Sequence, residues 1–93
     1  MVVGRYTEIE NDVLKILTSV KDKSLSNLLK NRTTSLFSIS IGFTEIEMLY
    51  VFVILEITYN IPLKKIDWQK DNLFTFDGLC NLIQDSLNEK NVL

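Results

Sequence analysis

Apolar residues recur along this chain in three stretches with a helical period, and a polar start signal precedes each. Ile9, Val13, Ile16, Leu17 and Val20 share one face of a helix. Before them, Thr7-Glu8-Ile9-Glu10 has the form of a capping box. There the threonine hydroxyl accepts from the Glu10 N–H, and the Glu10 side chain reaches back. These signals predict a first helix from about Glu8 to about Val20. Thr44-Glu45-Ile46-Glu47 repeats the box, with Phe43 and Met48 placed as a hydrophobic staple. The second helix is expected to run to about Tyr59 and stop near Pro62, which lacks a backbone donor. The third start is Thr75, with Phe74 and Leu79 as its staple. Phe76, Leu79, Leu82, Ile83 and Leu87 form the buried stripe of that last helix.

The connections carry weaker patterns. Ser24 to Leu29 suits a short helical turn. Phe37, Ile39, Ile41 and Phe43 alternate with Ser38, Ser40 and Gly42, as a strand would. A lone strand has no partner, so the expectation is an extended segment laying its apolar side on a helical bundle. Between Leu63 and Asn72 there is room for one short helix, with Ile66 and Trp68 as core contacts. Gly78 weakens the first turn of the last helix unless close packing requires it. The whole of residues 1–93 reads as one all-α domain, with no internal repeat.

Order and local sequence together resemble an acyl or peptidyl carrier. Ile41-Gly42-Phe43-Thr44-Glu45-Ile46 resembles the family's Leu-Gly-Leu-Asp-Ser-Leu signature. Leu55-Glu56 through Tyr59-Asn60-Ile61 resembles the end of its second helix, and Phe74-Thr75-Phe76 the opening of its fourth. The resemblance implies a four-helix bundle with a long loop between helices one and two and a short third helix. It also puts Glu45, flanked by Thr44 and Ile46, where carriers have the serine that bears phosphopantetheine. A serine oxygen attacks the coenzyme A pyrophosphate to make a phosphodiester, and a carboxylate makes no such stable linkage. The attachment position is therefore degenerate and no cofactor is expected. Ser38 and Ser40 lie upstream of the helix start, and the Thr44 oxygen is claimed by its cap, so a shifted attachment is the less favoured alternative.

The same register turns Ile46, Leu49, Phe52, Val53 and Tyr59 toward the core. Tyr50, Ile54 and Ile57 then form a second stripe, and a helix apolar on nearly all sides needs cover on nearly all sides. The Phe37–Ile41 segment is expected to supply it; the alternative is an open stripe that docks a partner or a second copy. Glu45, Glu47, Tyr50, Ile54 and Ile57 are the candidate partner-binding residues. The structural account of Thr44, Glu45 and Glu47 is simpler, since a cap and acidic residues in a first turn complement the helix dipole.

Composition narrows the function. Ten basic against twelve acidic residues give a net charge of −2, with no footprint for nucleic acid and no polybasic patch for a membrane. The longest apolar run, Met48 to Leu55 between Glu47 and Glu56, is too short to span a bilayer. Residues Met1 to Tyr6 lack the apolar core of a signal peptide, and the single cysteine, Cys80, permits no internal disulfide, so a cytoplasmic location is expected. The chain has no histidine, which excludes a Ser-His triad and a His-containing metal site. Asp67, Asp71 and Asp77 are too dispersed for a calcium loop. Cys80, between Leu79 and Leu82, is expected to be a buried inert thiol. The reading is a non-enzymatic, carrier-like accessory or docking protein whose partner is a biosynthetic or modifying enzyme. The resemblance associates such proteins with peptide maturation and secondary metabolism. An unrelated helical dimerisation module is the remaining alternative, and self-association stays open.

Overall fold

A computed structural model describes residues 2–21 and 25–90. Four α-helices and one 3₁₀ turn appear among them, with no strand. The order is α1 (Val2–Lys21), α2 (Leu25–Lys30), α3 (Glu45–Tyr59), the 3₁₀ turn Leu63–Lys65, and α4 (Phe76–Lys90). Helix α1 is the hub, packing against α2, α3 and α4, while the 3₁₀ turn folds back on α3. The all-helical class expected from the periodicity is what the described residues form.

Two of the three start signals act as read. Thr44 accepts from the Glu47 N–H at 3.1 Å, and the Thr44 N–H donates to Glu47 Oε1 at 2.8 Å, closing the box. Thr75 Oγ1 accepts from the Gly78 N–H at 2.9 Å and donates to the Asn72 carbonyl at 2.8 Å. The first signal fails to start the helix: α1 begins at Val2, so Thr7 lies inside it and is not its N-cap. Tyr6 explains the extension, because it continues the Ile9–Val13 stripe by one turn and packs against the core. Helix α3 ends where expected. Asn60 adopts the left-handed conformation at its C-cap, and Pro62 follows.

The core stripes of α1 and α4 match the sequence reading. Ile9, Val13, Ile16 and Leu17 are buried, as are Phe76, Leu79, Cys80 and Ile83, with Val20, Leu82 and Leu87 packed at the edges. The short helix at Leu25–Lys30 forms and buries Leu28; Ser24, its expected first residue, lies outside the described residues. The region of Ile66 and Trp68 gives only the 3₁₀ turn; Ile66 is buried, while Trp68 is 44% exposed.

The alternating segment is not extended. Consecutive turns close on the Ser35 and Ser38 carbonyls, which accept from Ser38, Ile41 and Gly42. Turns with a period near three override a two-residue alternation, so Leu36, Ile41 and Phe43 are buried while Ile39 is 101% exposed and Phe37 half-exposed. This loop is tied to the one before α4: Leu36 N–H donates to the Phe74 carbonyl at 2.8 Å, and Asp77 N–H to the Arg32 carbonyl at 3.0 Å.

Arg32 also joins these loops to α1 through its side chain. Its Nε donates to Asp77 Oδ1 at 2.8 Å, its second guanidinium nitrogen pairs with Glu10, and its carbon lies 4.9 Å from the centre of the Phe76 ring. Planar, forked donors suit two carboxylates at once, which a lysine does not. Arg32→Met should keep the aliphatic stem but leave two partly buried carboxylates facing without a counter-charge. The expected loss is about 1–2 kcal/mol of folding stability, read by urea denaturation.

Candidate docking face

Glu45, which the resemblance aligns with an attachment serine, is the first residue of α3, and its side chain is an exposed carboxylate. Two residues on, Glu47 is committed twice. It closes the capping box, and it accepts from Lys21 Nζ at 3.1 and 3.3 Å. The Thr44 N–H, ahead of Lys21, holds the Glu47 carboxyl below its usual range. Glu47 is thus a structural residue that locks the start of α3 to the end of α1. Glu45 has no such partner among the described residues.

The register of α3 differs from the one read off the resemblance. Its buried residues are Met48, Val51, Phe52 and Leu55, with Tyr59 packed against α1 through a 2.5 Å hydrogen bond to Asp12 Oδ2. Ile46, Leu49 and Val53, which were expected in the core, point outward instead. Phe52 and Tyr59 keep the role expected of them. The physical reason is that α3 is apolar all round, so its periodicity carries no phase. The phase comes from α1, against which it packs, and from the Thr44–Glu47–Lys21 lock.

The outward face is consequently one continuous stripe. Ile46, Tyr50, Val53 and Ile57 follow one another at spacings of four, three and four, and Leu49 joins them three residues after Ile46 on the same side of the helix. Ile46 is 67% exposed and Ile57 77%. The loop does not cover them, contrary to the expectation that Phe37–Ile41 would. Of the candidate partner residues, Glu45, Tyr50 and Ile57 reach this surface; Ile54 sits half-buried at its edge against the core, and Glu47 is engaged as described. Leu49 extends the stripe into a cleft of about 190 Å³, lined also by Phe37, Glu45, Met48, Phe52, Trp68 and Phe74. The Trp68 ring lies 4.9 Å from that of Phe52, edge-on, so the half-exposed indole forms a wall of this cleft as well as resting on the core.

A larger cavity of about 410 Å³ lies between α4 and the preceding loop, lined by Asp67, Asp71, Asp77 and Asp85 with Lys65 and Lys70. Lys70 and Asp85 pair there at 3.5 Å. No group of three His, Cys, Asp or Glu side chains is placed to hold a metal ion among the described residues. Cys80 is fully buried, and burial pushes its thiol up to about 12, which keeps it protonated and unreactive at neutral pH. The Ser38 and Ser40 hydroxyls lie 3.2 Å apart in the turn ahead of Gly42, off the helix start. Among the described residues, no helix is long and apolar enough to cross a membrane. Neither a protein-family model, nor a curated protein, nor a solved structure matches the chain.

Proposed function

We propose that this chain is a non-catalytic docking module of acyl-carrier-like build, which presents the outer face of α3 to a protein partner and carries no phosphopantetheine. The observation that carries the reading is the uncovered stripe from Ile46 to Ile57 on a helix whose opposite side is fully packed. Contiguous apolar patches of several hundred square ångströms on a small domain usually mark interaction surfaces. Two further features support it. The element order, with a long connection before α3 and a short 3₁₀ turn before α4, is compatible with a carrier's architecture. Glu45, at the position of the resemblance's attachment serine, offers a carboxylate in place of the hydroxyl that would accept the phosphopantetheine group. The partner is then a biosynthetic or modifying enzyme, in peptide maturation or secondary metabolism, that recognises apolar surface more than charge.

One experiment tests both halves. A photoreactive residue replaces Ile57 in the producing cell, with Gln69, exposed and off the stripe, as the control position. Irradiation is expected to yield a heterologous crosslink from position 57 and not from 69, while the uncrosslinked chain keeps its unmodified mass. A mass increase of one phosphopantetheine would make it a true carrier with a shifted hydroxyl. Absence of any crosslink from 57 would remove α3 as the docking face.

A further inference from the structure

We infer that the outer face of α3 binds a second copy of this chain, as a two-fold, antiparallel pair of α3 helices that a protein partner must displace. The inference rests on the reading of α3 as a docking face and names what covers it in the free protein. Its first support is the spacing. Ile46, Tyr50, Val53 and Ile57 step by four, three and four, the pattern of a seam between two paired helices. The seam spans roughly 16 Å at the helical rise, about three turns.

The second support is charge. Helix α3 contains no basic residue, and Glu45 stands exposed at its first position. Lys64 and Lys65 stand exposed in the 3₁₀ turn packed at its other end. A parallel pair would set glutamate against glutamate and lysine against lysine. An antiparallel pair brings the Glu45 end of each copy beside the lysine-bearing end of the other, twice, as two-fold symmetry requires. Glu56, eleven residues on from Glu45, lies on the same flank of α3, so each Glu45 meets one carboxylate and two ammonium groups of the other copy, a net attraction.

Area is the third. From their exposures, the five side chains of the stripe offer roughly 600 Å² per copy. The aromatic wall of the adjoining cleft, Phe37 and Trp68, brings the surface near the roughly 800 Å² per partner of an ordinary specific interface. That suffices for a dimer that dissociates on dilution, and it leaves the face available to a tighter partner.

Sedimentation velocity of the full chain over a concentration series is the test, with circular dichroism confirming each variant's helicity. The expected result is a concentration-dependent monomer–dimer equilibrium. Ile57→Asp, at a site that contributes nothing to the core, should weaken it by about tenfold or more. Glu45→Lys should weaken it a few-fold, and adding Lys64→Glu and Lys65→Glu to that variant should restore it. A chain that stays monomeric at every concentration overturns the inference, as does a dimer that Ile57→Asp leaves intact. Failure of the charge swap to restore pairing overturns the antiparallel orientation. A monomer that still forms a heterologous crosslink from position 57 loses the inference and keeps the docking function; a monomer without one loses both.

Discussion

Gly78→Ala is expected to destabilise the domain by about 3 kcal/mol or more, although the same change in an open helix would stabilise it by about 1. A Cβ built at Gly78 would lie 1.7 Å from the Asn72 carbonyl oxygen and 2.8 and 2.9 Å from the Asn72 carbon and the Leu73 oxygen. All three are backbone atoms, so no rotamer change relieves the clash. The backbone is also pinned on both sides. Asn72 is in the left-handed region at φ 65°, its carbonyl accepts from Thr75, and the Leu36 and Arg32 hydrogen bonds hold the same loop to its neighbour. Moving that loop would undo the cap of α4 and the contacts of Leu73, which is buried. Thermal denaturation followed by circular dichroism should therefore show a large fall in midpoint. A gain would mean that the loop and α4 do not approach as described. Gly42→Ala serves as the comparison. Gly42 has φ 81°, with no atom nearer than 3.8 Å to its would-be Cβ, so only backbone strain of about 1 kcal/mol opposes the change.

Signals that act within one turn of chain were legible in advance, and signals that need a second element were not. Thr44 and Glu47 close their box with each other, so four residues contain the whole device. Thr7 and Glu10 carry the same letters, but Tyr6 draws the helix past them by packing on the core, a contact that no local pattern contains. The Phe37–Phe43 alternation misled for a related reason: the Ser35 and Ser38 carbonyls close turns, and those turns decide which side chains face inward. Arg32 was silent in the sequence because Glu10 and Asp77, its partners, lie 22 and 45 residues away. The exposed face of α3 was half legible. That α3 is apolar on every side was evident, and so was the need for cover. Which side faces α1 was not, since Ile46, Leu49 and Val53 are as apolar as Met48, Val51 and Leu55. Glu45 and Ile57 became candidates through the register of the resemblance, and both are exposed; the cleft walled by Phe37 and Trp68 arises only when three segments meet.

That choice of side has a direct mutational signature, because α3 carries leucine on both faces. Leu55 is 1% exposed and Leu49 is 58% exposed. Truncating a buried leucine removes its transfer free energy and leaves a cavity, so Leu55→Ala should cost about 2–5 kcal/mol. Leu49→Ala removes the same atoms from the outer face and should change monomer stability by about 0.5 kcal/mol or less. Both have the same intrinsic change in helix propensity, which cancels in the comparison. Urea denaturation at low protein concentration, where self-association does not contribute, reads the difference. The register taken from the carrier resemblance puts Leu49 in the core and so requires a comparably large cost for Leu49→Ala. Equal costs for the two would mean that α3 is covered on both sides, and the free face from Ile46 to Ile57 would no longer be available to any partner.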